Sequence, residues 1–318
     1  MKTIWVLLDD RAGNVNQCLG VAEALGLPFI RKDITYNALA KLPNFLLGAS
    51  LCGVSAESCR ALNAPWPDLV IAAGRRTAPI ARYIKKKSQG QSKLVQIMHP
   101  GSAGAADFDL ICVPAHDLHG TLQENEMTMF GAPHRVTADK LVQASSDWAD
   151  RFMTLSSPRI GLIVGGATKN RDFSAEMARD LGRAVNNMAQ EKGASVLVTT
   201  SRRTGDAASP LLNEITVASF QYKWGDEGDN PYFGILACSD LLIVTGDSVS
   251  MCSECCGTGK PVYIYAPQGM ISDKHMRMVH ALIENQYALP FGEETPLAHT
   301  RTLNAATDIS TRIRHLLE

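Results

Sequence analysis

The feature that most restricts this chain is a recurring unit. A short, unbroken apolar run ends abruptly in a loop of Gly, Ser, Thr, Arg or His, and a helical stretch follows. Residues 69–73 run into Gly74-Arg75-Arg76-Thr77, 160–164 into Gly165-Gly166, 195–199 into Thr200-Ser201-Arg202-Arg203, and 241–244 into Thr245-Gly246-Asp247-Ser248. Runs 3–8, 94–98, 110–113 and 262–265 have the same character, and 28–33 reads as a further strand. Strands apolar on both faces belong to parallel sheets covered by helices on each side. Helices are expected over 17–25, closed by Gly26 and Pro28, and over 139–154, 174–190, 274–285 and 308–317. The polar stretch 11–16 reads as the first loop.

The series restarts at Pro158. With 318 residues, two domains are expected, 1–155 and 156–318, and the last helix is free to pack back on the first domain. The fold class is therefore α/β, with two Rossmann-like domains built on parallel sheets.

Lys and Arg total 31 against 32 Asp and Glu, so no global basic field recruits nucleic acid. No apolar run approaches the ~18–20 residues that span a bilayer. The opening apolar run is too short for a signal-peptide core. Eight Cys without such a signal imply reduced thiols and a cytoplasmic setting. Contact with the inner face of a membrane stays open, because Lys85-Lys86-Lys87 and the apolar stretch 45–52 could touch anionic lipid. A solvated helix end is the plainer reading of the three lysines.

Ligands of open parallel sheets bind beyond the carboxyl ends of the strands. Two standard phosphate motifs are missing there. No GxGxxG opens either domain, and Gly257-Thr258-Gly259-Lys260 is followed by Pro261 where a P-loop needs Ser or Thr. This argues against an ATPase, a dinucleotide-dependent dehydrogenase and an epimerase that requires a dinucleotide fingerprint. Segment 246–261 is the sharpest feature. Asp247 or Ser248 can cap a helix that continues through Glu254. Ser248 and Ser250 lie beside its free first-turn N–H groups, and the Glu254 carboxylate could accept both hydroxyls of a ribose. Gly259 is expected to end the helix. The alternative is a capped helix of an ordinary βαβ unit.

The spacing of Glu254, Gly259 and Pro261 resembles the donor-site signature of two-Rossmann-domain glycosyltransferases, in which the Glu binds the nucleotide ribose. Asp247-Ser248 stands where that signature has Ser-Gly, and Met251 where it has Thr. A broader resemblance covers nearly the whole chain. Asp9 to Gln17, Gly74 to Pro79, Gly131 to Thr137, Asn230-Pro231-Tyr232 and Asp247 to Met251 are similar to the elongated-mitochondria fission family. Its bacterial members carry a glycosyltransferase-like fold, and a chain that opens directly at its first strand points to that branch. The resemblance implies a GT-B-like pair of domains with an interdomain cleft.

It also implies site residues. Gly13, Asn14 and Asn16 would face the acceptor and the donor phosphates. Gly165, Gly166 and Lys169 suit a diphosphate, and Ser201 with Arg202 or Arg203 could pair with phosphate. Asn230 would lie near the base, while Asp247, Ser248, Ser250 and Glu254 complete the nucleotide site. For a general base the candidates are His99, Asp10 and His116, with His134 and Asp117 as competitors and a structural role as the alternative for each. Cys252, Cys255 and Cys256 read as small buried residues rather than ligands, and no metal or separate cofactor is expected. The expected function is transfer of a sugar from a nucleotide-diphosphate donor to an acceptor, which could be at a membrane surface. The alternative is a non-catalytic adaptor on the same scaffold.

Overall fold

The computed structural model describes residues 2–118, 120–292 and 301–318. The chain divides into two compact units, 1–135 with 304–318, and 136–303. Each is built on one six-stranded parallel sheet.

In the first unit the strands are β1 Ile4–Leu8, β2 Ile30–Asp33, β3 Leu69–Ala73, β4 Lys93–Ile97, β5 Leu110–Pro114 and β6 Glu126–Met129, in the order β2-β1-β3-β4-β5-β6. Its helices are α1 Ala12–Leu25, α2 Asn44–Leu47, α3 Ala56–Arg60 and α4 Ala78–Lys87. Next in the chain comes α5 Ala138–Phe152. The second unit carries β7 Arg159–Val164, β8 Ser195–Thr200, β9 Ser219–Tyr222, β10 Leu241–Thr245, β11 Val262–Tyr265 and β12 Leu289–Pro290, in the order β12-β11-β10-β7-β8-β9. Helices α6 Ala175–Lys192, α7 Ala208–Leu212, α8 Tyr232–Cys238, α9 Val249–Cys256 and α10 Asp273–Glu284 belong to it. The last helix is α11 Ala305–Leu317.

The central strands β1, β3, β5 and β10 are buried at every position, as their unbroken apolar sequences require. On one face of the first sheet, Ile4, Val6, Ile71 and Val95 pack with Cys18 and Val21 of α1 and with Ile309 and Ile313 of α11. The last helix thus closes the first unit's core, and Arg314 donates to the Ala24 and Leu25 carbonyls at the end of α1, both at 3.1 Å.

Helix α5 lies in the second unit, so the units part at 135/136, ahead of the expected 155. The reason is packing. Trp148 of α5 stacks on Phe152 at 5.5 Å and meets Phe220 of β9 edge-on at 6.3 Å. Gly234 of α8 lets the indole approach, because a Cβ there would fall 2.3 Å from the ring.

The first helix starts at Ala12, where residues 11–16 were expected as a loop. Asp9 accepts from the Arg11 N–H and from the Asn14 side-chain amide, each at 2.9 Å. These bonds stabilise a helical first turn that Gly13, Asn14 and Asn16 do not favour by propensity. Helix α9 ends at Cys256 with Gly257 at its C-cap, earlier than the expected Gly259.

Candidate functional site

In each sheet the chain runs outward in one direction and then returns to add strands on the other side. The carboxyl ends on either side of this reversal flank a crevice where ligands of such sheets bind. The reversal falls between β1 and β3 in the first unit and between β7 and β10 in the second.

In the second unit, Gly165 and Gly166 leave β7 while Asp247 and Ser248 leave β10. The Gly165 N–H donates to Thr245 Oγ1 at 2.7 Å, and the Gly166 N–H to Asp247 Oδ2 at 3.0 Å. The Ala167 N–H donates to the Arg203 carbonyl at 3.0 Å and that of Thr168 to the Arg171 carbonyl at 2.8 Å. The loop's N–H groups, expected to receive a diphosphate, are thus committed to the protein itself. Both glycines are needed for this closeness. A Cβ on Gly165 would fall 2.2 Å from Asp247 Oδ2, and one on Gly166 2.2 Å from the Arg203 carbonyl oxygen.

Asp247 is only 2% exposed, and its charge is met by Arg203, whose Nη1 lies 2.7 Å from Oδ2. The second oxygen, Oδ1, is buried with no hydrogen-bond partner. The structure therefore brings Arg203 to the site, whereas Arg202 points to solvent, as does Lys169. The loop fixes this choice. Ser201 Oγ donates to the Gly165 carbonyl at 2.6 Å and accepts the Arg203 N–H at 3.1 Å, so residue 203 turns inward. The Arg203 side chain stays about a third exposed.

Ser248 caps α9 through its hydroxyl, which accepts from the Met251 N–H at 3.4 Å. Ser250, in the first turn, is half-buried. Glu254 follows on the same helix, 8% exposed, with Oε2 accepting the Tyr232 hydroxyl proton. Burial pushes the Glu254 carboxyl above the ordinary carboxylate range, and the Tyr232 hydrogen bond pulls the other way. Burial and the Glu254 charge raise the Tyr232 phenol. Asn230 is exposed and holds the start of α8, its Oδ1 accepting from the Tyr232 N–H at 3.0 Å. Trp224, more than half exposed, is tied to the end of β8 by its backbone N–H on Thr200 Oγ1 at 2.9 Å. No local sequence signal marks the Tyr232–Glu254 pair, because its members lie 22 residues apart. Cys252, Cys255 and Cys256 are buried along α9, and burial raises all three thiols.

The first unit's reversal point is built from opposite charges. Arg76, in the loop after β3, pairs with Asp10 and lies 3.4 Å from Asp9 Oδ2, and its guanidinium sits over the Tyr36 ring at 4.3 Å. Gly13, Asn14 and Asn16 occupy the first turns of α1 beside this cluster. The Arg76 hydrogen bond holds the Asp10 carboxyl below its ordinary value, which makes Asp10 a weaker base. His116 is buried, with Nε2 3.9 Å from Asp117. His99 is partly exposed. Its Nδ1 accepts from the Gly101 N–H at 3.1 Å and its Nε2 faces Glu126 Oε1 at 3.2 Å.

Solved structures with this architecture include the UDP-GlcNAc 2-epimerase from Methanocaldococcus jannaschii, 10% identical with a TM-score of 0.54, covering 98% of this chain and 99% of that one. MurG of Acinetobacter baumannii is 13% identical with a TM-score of 0.53, covering 99% of this chain and 100% of that one. The fold is therefore of the GT-B-like class, with two Rossmann-type sheets. Within that class the chain belongs to the family described as mitochondrial fission ELM1, whose model matches residues 12–317. An uncharacterized protein, RP120, of Rickettsia prowazekii is 31% identical over 99% of this chain and 98% of its own length. The mitochondrial fission protein ELM1 of Arabidopsis thaliana is 33% identical over 62% of this chain and 51% of its own.

Proposed function

We propose that the second unit binds a nucleoside-diphosphate sugar at the carboxyl ends of β7, β8 and β10, and that the protein transfers the sugar to an acceptor. The observation that carries this reading is the placement of Asp247 and Ser248 at the start of α9 and of Glu254 in its second turn, with Arg203 fixed beside Asp247. The exposed part of Arg203 and the first-turn N–H groups of α9 suit a diphosphate. Glu254, oriented by Tyr232, suits ribose hydroxyls, and the Trp224 indole offers a face for the base. The Neisseria meningitidis UDP-GlcNAc 2-epimerase, 12% identical with a TM-score of 0.53 and solved bound to UDP-GlcNAc, supports a sugar nucleotide as the ligand class. For the base we choose His99, since its ring is partly exposed, His116 is buried and Arg76 weakens Asp10. An acceptor carried on a membrane belongs to this reading, and it invokes no metal or further cofactor.

The test is thermal stability with UDP, GDP, CMP and their sugars. A nucleotide at a hundred times its Kd adds about 2.7 kcal/mol to the folded state. The added stability should disappear in Glu254→Ala and Arg203→Ala. If no nucleotide or sugar nucleotide stabilises the wild type, the reading fails.

A second reading, a non-catalytic adaptor, is favoured by one observation: the N–H groups of residues 165–168 are closed upon the protein. It expects no release of nucleoside diphosphate from any sugar nucleotide, whereas the first expects a release that falls at least tenfold in His99→Ala.

A further inference from the structure

In the first unit, residues 37–46 expose a cluster of large apolar side chains that the fold holds in place without burying. Phe45 is 70% exposed, Leu46 62%, Leu39 49% and Leu42 39%. Ordinary surfaces scatter such residues singly, whereas a contiguous group marks a surface that meets something else.

The backbone beneath them is pinned by polar bonds. Asn44, buried at the start of α2, donates its side-chain amide to the Arg75 and Pro100 carbonyls, each at 3.0 Å. Arg75 returns three bonds, to the Leu42 carbonyl at 2.6 Å, the Ala40 carbonyl at 3.0 Å and Asn44 Oδ1 at 3.3 Å. Asn37 donates to the Cys52 and Val54 carbonyls, both at 2.9 Å. A frayed loop would have no such scaffold. Here the sequence spends its buried polar groups on fixing the backbone and turns its apolar groups outward.

Charge identifies the occupant. From Ile34 through Ala56 the chain has no Asp or Glu, and its one charged residue is Lys41, which is exposed between Leu39 and Leu42. The loop 98–106, which receives the Asn44 bond at Pro100, has no acidic residue either. Asp9 and Asp10, at the same end of the sheet, are matched by Arg76 and Arg11. An apolar cluster with a cation at its centre, in a stretch free of Asp and Glu, complements an anionic bilayer. The lysines 85–87 do not contribute to it. They end α4, whose first turn adjoins Arg75, and ten helical residues separate the two ends by about 15 Å. Lys85 is also spent on Asp109 at 2.7 Å.

We infer that the segment 37–46 is a membrane-docking face. Phe45 and Leu46 enter the acyl boundary of an anionic lipid surface, and Lys41 lies among the headgroups. This does not depend on nucleotide binding, and the nucleotide-induced stabilisation of the docking variants should equal that of the wild type.

The experiment is flotation of the full chain with vesicles of phosphatidylcholine containing phosphatidylglycerol, and with phosphatidylcholine alone. The wild type should float with the anionic vesicles. The double variant F45S/L46S should lose about tenfold or more in partitioning. Lys41→Glu should lose several-fold on anionic vesicles and nothing on neutral ones. The control V142S/M153S removes two side chains, each 72% exposed, from the second unit and should float as the wild type does. All four sites are exposed, and circular dichroism and melting should match the wild type. A wild type that stays unbound, a double variant that floats unchanged, or a control that loses as much as the double variant overturns the inference. So does a double variant that changes only the oligomeric state in light scattering, since the face would then join two copies of the chain.

Discussion

At the reversal point of the first sheet, two carboxylates from the end of β1 close on one arginine from the loop after β3, and that arginine also lies on the Tyr36 ring. At the reversal point of the second sheet, one carboxylate from the end of β10 is buried against a β7 glycine N–H and a single arginine from the loop after β8. The topology is the same, but the first arginine faces two carboxylates and the second faces one. The first site has spent its cation, since Arg76 faces two acids. In the second, Arg203 faces one acid and keeps an exposed side. An added phosphate would compete with two carboxylates for the guanidinium at the first site and with one at the second. Sharing a fold thus does not share a ligand, and the anion-binding capacity follows the arginine that has fewer partners.

The strongest way to break this comparison is through the glycines. Gly166→Ala places a Cβ 2.2 Å from a backbone oxygen at φ +145°, where neither the oxygen nor the chain can easily yield. Overpacking and backbone strain together should remove about 3–5 kcal/mol in urea denaturation. Gly74→Ala, in the loop after β3, meets the Asn14 amide at 2.7 Å and φ +80°. A side-chain end can move aside, so about 1–2 kcal/mol is expected. Equal losses would mean that the second site is no more tightly built than the first.

The arginines come next. Arg203→Ala leaves the buried Asp247 with the Gly166 N–H alone, and a loss of about 2–4 kcal/mol is expected. Arg76→Ala leaves Asp9 its bonds from the Arg11 N–H and the Asn14 amide, and Asp10 is exposed, so about 1 kcal/mol is expected. Nucleotide-dependent stabilisation should fall with Arg203→Ala and persist with Arg76→Ala. The reverse pattern would move the anion site to the first unit.

The parts of this arrangement that a sequence can display are the local ones. Residues 69–73 and 262–265 read as strands with the bounds that β3 and β11 have, because burial on both faces leaves an unbroken apolar run. Edge strands leave a weaker trace: β2 lies inside the expected run 28–33, but two others do not show. Glu-Met-Thr-Met of β6 and Ser-Phe-Gln-Tyr of β9 are short and half-exposed, and neither was expected as a strand. The start of α1 was missed because its signal is the Asp9 carboxylate, which acts against the propensities of Gly13, Asn14 and Asn16. The Ser248 cap was readable from spacing within one helix. Choosing Arg203 over Arg202 was not, since it depends on Ser201 reaching across to β7. The exposed apolar stretch was visible near 45–52, but only the Arg75–Asn44 scaffold shows that 37–46 is the pinned part.

The smallest expected effect is the response to pH, where the two sites should oppose each other. Burial raises Glu254 in the folded protein above its unfolded value, so in this window the native state holds more protons than the unfolded one. The contribution of Glu254 is then most favourable below about pH 4.5, and it declines as pH rises from there through the folded pKa. Asp10 has the opposite sign. Its folded pKa lies below 3.8, so the Arg76 pair is fully present above that value and is lost as pH falls through the folded pKa. Glu254→Gln should raise the melting temperature near pH 7 and flatten its slope above about pH 4.5, modestly because the Tyr232 hydroxyl already opposes the burial. Asp10→Asn should lower the melting temperature only slightly at neutral pH, because the pair is largely solvent-screened, and should leave the Glu254-dependent slope intact. Melting curves of both variants from pH 3 to 8 test this. If Glu254→Gln melts lower at neutral pH with an unchanged slope, the carboxylate is stabilised as an anion where it stands, and the contrast between the two sites disappears.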